Sequence, residues 1–187
     1  FDTMAKRTYE LHIAGLTRQL PVLNITEDLA IAGFVILGDV ELVTNTAKAL
    51  AEKIPPETDI IMTAETKGIP LAHEMARIKG MKDYVVARKS VKAYMEDPIW
   101  VDDESITTTG KQRLYVAQAE IAKLKGRNVL LVDDVISTGG SMKALKELAE
   151  KAGGHVIGQA CILAEGKAAQ RDDIIFLEPL PLLKTER

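Results

Sequence analysis

The residues best suited to chemistry lie together in residues 129–141, which read VLLVDDVISTGGS. Four apolar residues predict a buried strand, and Asp133 and Asp134 follow at its carboxyl end. A small polar turn then leads into a predicted helix, and its residues are Ser137, Thr138, Gly139, Gly140 and Ser141. Backbone N–H groups, hydroxyls and the positive end of a helix favour phosphate. Carboxylates beside them can accept hydrogen bonds from sugar hydroxyls or lie near a ligand-borne metal ion. The stretch therefore predicts a sugar-phosphate site.

The turn matches neither of the two common glycine-rich nucleotide fingerprints, GxxxxGK[ST] and GxGxxG. Each short part of this pattern, considered alone, also has a structural explanation, namely a helix cap plus a solvated acidic turn. The complete run of residues 129–141 is far more specific than its pieces and favours the functional interpretation.

The rest of the chain predicts an α/β protein. Short apolar runs without polar alternation are typical of strands covered on both faces, and they occupy residues 59–64, 84–88, 129–132, 156–163 and 174–177. Helical patterns lie between them, at residues 40–53, 69–79 and 141–152. Residues 89–128 are long and polar, and residues 112–117 within them could be a strand returning from a hairpin. Ligands of such parallel sheets bind beyond the carboxyl ends of the strands.

Composition excludes several classes of function. A length of 187 residues favours one domain, residues 1–187. A net charge of −3 and 4% aromatic residues argue against nucleic acid as a partner. Cys161 is the single cysteine and is predicted to be a core residue, while the histidines lack metal-ligand spacing. No apolar run is long enough for a membrane span, and no secretory signal is visible. We therefore expect a cytoplasmic protein without a membrane partner.

Residues 129–141 closely resemble the signature of the type I phosphoribosyltransferases, which use 5-phosphoribosyl-1-pyrophosphate (PRPP), and the similarity runs from about residue 30 to about residue 180. The resemblance implies a parallel sheet flanked by helices, with a small N-terminal hood at about residues 1–38. It implies that Asp133 and Asp134 contact the ribose hydroxyls and that residues 137–141 bind the 5′-phosphate. It also implies Mg²⁺ bound with PRPP, with Asp133 as its candidate protein ligand, and a homodimer.

Two further stretches fit the resemblance. Glu65, Thr66, Lys67 and Gly68 follow the strand at residues 59–64 and occupy the place of the family's pyrophosphate loop. The cations that follow the strand at residues 84–88 would contact pyrophosphate too, and they are Arg88, Lys89 and Lys92. The alternative for these cations is an ordinary exposed surface. By resemblance Arg88 joins Asp133 and Asp134 as a catalytic residue, and residues 90–116 or so form a flexible catalytic loop that closes over PRPP and excludes water.

The base is predicted to rest against Phe34, Val35 and Ile36, for which plain core packing is the alternative. Length and layout resemble the adenine phosphoribosyltransferases, so we expect purine salvage with adenine as the favoured base. Those enzymes carry a Glu in the flexible loop, where this chain has Thr108, Thr109 and Gly110. Residues 65–70 and 110–112 are also similar to xanthine phosphoribosyltransferases and purine-operon repressors. A 6-oxopurine enzyme and a non-catalytic PRPP-binding regulator are therefore the alternatives.

Overall fold

The structure, a computed structural model, describes residues 7–103 and 112–186. Its strands are β1 (Thr8–Ile13), β2 (Leu16–Asn24), β3 (Leu29–Ala32), β4 (Ile60–Ala64), β5 (Val85–Ala87), β6 (Ile99–Asp103), β7 (Gln112–Val116), β8 (Asn128–Ile136), β9 (His155–Glu165), β10 (Ile175–Leu180) and β11 (Leu183–Lys184). Its helices are α1 (Val40–Ala51), α2 (Ile69–Ile78), α3 (Gln118–Leu124) and α4 (Gly140–Lys151), with a short 3-10 helix at Gly166–Gln170.

The central sheet has the order β10–β9–β8–β4–β5, and all its neighbouring strands are parallel. Helices α1 and α2 cover one face, where Leu42 and Leu71 pack in the same cluster as Ile61. Helices α3 and α4 cover the other face, where Leu148 joins Leu131. Burial on both faces explains the continuous apolar runs of these strands. Together with the antiparallel N-terminal sheet described next, the central sheet confirms the predicted fold class.

A second sheet forms the hood, with the order β1–β2–β3–β11 and antiparallel pairing throughout. The apolar side chains of its inner face, including Leu11, Ile13 and Leu20, pack into the same core cluster as α1 and α2. Sequence analysis predicted a hood at about residues 1–38 but no strands within it. These strands lack the continuous apolar runs of the central sheet because their outer residues are polar, which is ordinary for an antiparallel sheet with one solvated face.

Strand β8 is longer than the strand predicted at residues 129–132. The apolar run ends at Val132, but β8 continues to Ile136, because β9 pairs with it as far as Ala164. Asp133 and Asp134 therefore lie within the strand rather than in a loop after it. Rigid strand backbone fixes the position of both carboxylates.

An ion-pair network connects the hood to α1. Asp39 caps α1 by accepting a hydrogen bond from the Leu42 N–H at 3.1 Å. Arg18, on β2, donates to Asp39 at 2.8 Å and to Glu41 at 2.9 Å. The hydrogen bond from Arg18 lowers the pKa of Asp39, while burial acts in the opposite direction. The hood is thus held to the end of α1 by charge as well as by apolar packing.

Strands β6 and β7 form an antiparallel hairpin within the segment predicted to be the flexible loop. Residue 112 begins β7, which agrees with the predicted returning strand at residues 112–117. Thr108, Thr109 and Gly110 lie outside the described residues. No helix in the described part of the chain is long and apolar enough to cross a membrane.

Candidate active site

The phosphate turn, residues 137–141, joins β8 to α4 at the carboxyl edge of the sheet. Gly139 has a φ of +84°, a left-handed conformation that glycine adopts at little cost. Unlike α1, α4 receives no capping hydrogen bond from a described side chain. The first N–H groups of a helix have no hydrogen-bond partner within the helix. The first residues of α4 line a cavity, so an anion bound there can accept hydrogen bonds from these N–H groups.

That cavity has a volume of about 380 Å³ and is lined by three parts of the chain. Asp133, Asp134 and the phosphate turn form one wall. Lys67, from the segment between β4 and α2, lies at one end. Apolar residues of the hood form another wall, and they include Leu23, Ile31, Phe34 and Val35. One cavity therefore brings a phosphate site, two carboxylates and an apolar surface together.

The two acids interact closely. The Asp133 side chain accepts a hydrogen bond from the Asp134 N–H at 2.8 Å, and the Asp134 side chain accepts one from the Val135 N–H at 2.9 Å. Burial raises the pKa of Asp133 well above its usual range, the charge of Asp134 raises it further, and Lys67 acts against both. A cation placed beside the two acids would act in the same direction as Lys67 and favour the charged form of Asp133.

A second cavity of about 170 Å³ continues from the first and shares Lys67, Asp133, Asp134 and Ser141 with it. Its remaining walls come from the segment after β4, from Lys89 and from the hairpin, and they include Glu65, Thr66, Asp103 and Gln112. Gly68 closes the loop against the acids, since a Cβ there would lie 3.2 Å from Asp133 Oδ1. The loop and the acids thus form one continuous cleft.

The predicted cations divide into two groups. Lys67 and Lys89 line the cleft. Arg88 does not line either cavity, because its guanidinium donates to Glu65 and to the Tyr94 hydroxyl. Burial acts to raise the pKa of Glu65, but the hydrogen bonds from Arg88 and from the Lys89 N–H, together with the positive charges of Arg88 and Lys92, outweigh it, so the pKa is lowered. Lys92 donates to Ser90 at 2.8 Å and lies outside both cavities as well.

The predicted base-binding residues divide similarly. Phe34 and Val35 line the larger cavity, and Val35 is 53% exposed. Ile36 is fully buried in the core and does not line that cavity, so the alternative of core packing applies to it. Sequence analysis missed several lining residues, namely Leu23, Ile31, Glu165 and Leu180. Glu165 follows an apolar run in the sequence just as the two aspartates do, a signal that could have revealed it.

Such a cleft, at the carboxyl edge of a parallel sheet and beneath a hood, defines a type I phosphoribosyltransferase fold. Comparison with known proteins agrees, because a family model described as phosphoribosyl transferase domain matches residues 38–179. The chain therefore belongs to the phosphoribosyltransferase family, and its relatives are purine phosphoribosyltransferases.

The relatives carry two different base specificities in their names. The chain is 35% identical over 130 residues to the hypoxanthine/guanine phosphoribosyltransferase of Methanothermococcus okinawensis, covering 70% of this chain and 67% of that one. It is 31% identical over 153 residues to the adenine phosphoribosyltransferase of Thermosipho africanus, covering 81% of each. The crystal structure of the adenine phosphoribosyltransferase from Thermoanaerobacter pseudethanolicus has a TM-score of 0.65 and 25% identity, covering 77% of this chain and 84% of that chain. These names agree on the family and differ in the purine base.

Proposed function

We propose that this protein transfers the 5-phosphoribosyl group of PRPP to a ring nitrogen of a purine base, with adenine favoured, and releases pyrophosphate. The observation that carries the proposal is the continuous cleft in which the phosphate turn, the acid pair and the Lys67 loop meet the apolar wall of the hood. Each part of PRPP has a matching surface there, and the hood wall offers a flat purine an apolar face.

The cleft suggests how PRPP binds. Its 5′-phosphate would accept hydrogen bonds from the N–H groups and hydroxyls of the phosphate turn. The ribose hydroxyls would donate to Asp133 and Asp134. The pyrophosphate would lie in the smaller cavity, where Lys67 and Lys89 supply positive charge. This orientation places C1′ of the sugar between the acids and the hood, where the base would approach.

Transfer then requires one bond to form and one to break. The nitrogen lone pair forms a bond to C1′ while the bond from C1′ to the pyrophosphate oxygen breaks, and that electron pair leaves with pyrophosphate. The proton of the attacking nitrogen passes to solvent. Positive charge develops on the sugar, and the buried carboxylate of Asp134 would stabilise it. Lys67 would stabilise the growing negative charge on pyrophosphate.

Mg²⁺ fits this arrangement as a companion of PRPP rather than as a resident metal. The described residues contain no group of three or more potential metal ligands. They do offer the adjacent carboxylates of Asp133 and Asp134 beside the pyrophosphate cavity, and Mg²⁺ commonly binds one or two carboxylates together with substrate phosphates. When bound, Mg²⁺ would neutralise charge on the departing pyrophosphate.

We also propose that the protein is a homodimer, as the resemblance implies, and that it is cytoplasmic, as expected from the sequence. The surface that supports it is the groove between α1 and α2, lined by Val40, Val43 and Tyr84 among others. Val40 is 79% exposed, so a partner subunit that covered this groove would bury apolar surface.

The test is pyrophosphate release on mixing protein, Mg²⁺ and PRPP with adenine, hypoxanthine, guanine or xanthine. We expect release with adenine above all. Asp134→Asn should lower turnover by at least about a hundredfold, since it removes the charge beside C1′ while its amide oxygen can keep the bond to the Val135 N–H. Asp83→Asn, at an exposed position outside the cleft, is the control and should match the parent.

Two results would contradict the proposal. An Asp134→Asn variant with unchanged turnover would remove the acid pair from the mechanism. Tight PRPP binding without release on any base would favour the alternative of a non-catalytic regulator.

A further inference from the structure

Glu165 occupies the last position of β9 and lines the larger cavity. Its strand partner on β10 is Leu180, which lines the same cavity and packs in the hood-side core. Leu163, two positions before Glu165, packs in that core too. Because alternate residues of a strand share a face, Glu165 lies on the face of the sheet that meets the hood. It is only partly buried, so its carboxylate is available to a ligand.

The backbone at this position is closely packed. Gly166 follows with a φ of +60°, and a Cβ there would lie 3.0 Å from Leu182 Cδ1. Leu182 directly precedes β11, which pairs with β3 of the hood. The end of β9 is therefore held against the hood, and the position of Glu165 is fixed relative to the apolar wall.

The charges around the cavity are unevenly distributed. Among the described residues that line it, Lys67 is the only cation, and Lys67 belongs to the pyrophosphate end because it also lines the smaller cavity. The lining of the hood wall is apolar, and it comprises Leu23, Ile31, Ala32, Gly33, Phe34 and Val35. Besides Lys67 and the acid pair, Glu165 is the ionisable side chain among the described lining residues, and a carboxylate accepts hydrogen bonds but repels a carbonyl oxygen.

We infer that Glu165 determines which base is bound, by accepting a hydrogen bond from an amino group at purine position 6 and disfavouring an oxygen there. The inference rests on the proposed function, because it assumes that the hood wall holds a purine. It predicts that the protein prefers 6-aminopurines because of the Glu165 side chain alone. Glu165 is a specificity residue here and takes no part in the bond changes at C1′.

The experiment compares AMP with IMP, which differ in the group at position 6, by calorimetric titration. The parent protein should bind AMP more tightly. Glu165→Gln replaces a charged acceptor with a neutral amide and should reduce the AMP:IMP affinity ratio about tenfold. Glu165→Lys supplies a donor and should reverse the preference. Glu178→Gln removes a carboxylate from an exposed position on neighbouring β10, outside the cavity, and should leave the ratio unchanged.

The outcomes separate this inference from the proposed function. Pyrophosphate release by the parent protein, together with an AMP:IMP ratio that neither Glu165 variant changes, overturns the inference and leaves the proposed function standing. Absence of release with every purine, together with an AMP preference that Glu165→Gln abolishes, supports the inference and contradicts the proposed reaction. A parent protein that binds IMP as tightly as AMP overturns the inference directly.

Discussion

A methyl group at Gly68 should damage both the fold and the site. The φ of Gly68 is −78°, which any residue adopts, so glycine is required there for space alone. A Cβ would lie 2.4 Å from Thr63 Oγ1 and 3.4 Å from Asp133 Cα, the first of which is well inside the 3.4 Å at which ordinary contact begins. Thr63 is completely buried and cannot turn away into solvent. In Gly68→Ala, the loop that carries Lys67 must therefore move.

The size of the effect follows from that displacement. Overpacking of a closed site costs about 1–3 kcal/mol of the free energy of unfolding. A misplacement of about 1 Å at a positioning loop can cost about a hundredfold in rate, so kcat/KM for PRPP should fall to that extent. Urea unfolding followed by circular dichroism measures the first quantity, and initial rates of pyrophosphate release measure the second.

Thr63→Ala is the matched partner for this test. Thr63 Oγ1 is buried without a hydrogen-bond partner among the described residues, so its removal alone should cost only about 1 kcal/mol. In the double variant the 2.4 Å contact is gone, and most of the lost stability and rate should return. A coupling free energy near zero between Gly68→Ala and Thr63→Ala would refute the reasoning, as would a Gly68→Ala variant equal to the parent protein.

Two further predictions concern charge. Lys67→Met should raise the KM for PRPP about tenfold and flatten its dependence on salt, since one charge-assisted contact to phosphate is lost; an unchanged KM would place pyrophosphate elsewhere. Asp39→Ala should lower the free energy of unfolding by about 1 kcal/mol at pH 7, through loss of the helix cap. Because Arg18 lowers the pKa of Asp39, this contribution is present above about pH 4, the ordinary value, and is lost as pH falls through the lowered pKa. Urea midpoints of the two proteins should therefore converge in acid, and a constant difference would contradict the role of the ion pair.

Sequence analysis was most successful where the determinants are local. The five parallel strands and helices α1, α2 and α4 were predicted, because apolar runs and helical periodicity depend on near neighbours. The phosphate turn was identified for the same reason, since all its groups are adjacent in the chain. The extension of β8 to Ile136 was missed, because pairing with β9 rather than its own composition decides where the strand ends.

The hood side of the site depends on distant parts of the chain, and there prediction was weaker. Val35 and Ile36 are neighbours of similar character, yet Val35 lines the cavity and Ile36 is buried in the core. The pairing of Arg88 with Glu65 arises because β4 and β5 are adjacent and end together, a register that the sequence does not state. Glu165 reaches the cavity only because β9 is long enough to carry it to the hood.

The way the hood is assembled has a consequence for folding. Its sheet joins β11 to β3, and the Thr185 hydroxyl donates to the Thr26 carbonyl across 159 positions of sequence. Contacts of such high sequence separation bear a larger loop-closure entropy than local contacts, so we expect them to form late in folding and to open before the central sheet does. Amide hydrogen exchange should accordingly be faster in β3 and β11 than in β8. A molecule whose hood has opened would keep the phosphate turn intact and would lose the apolar hood wall that is proposed to hold the base.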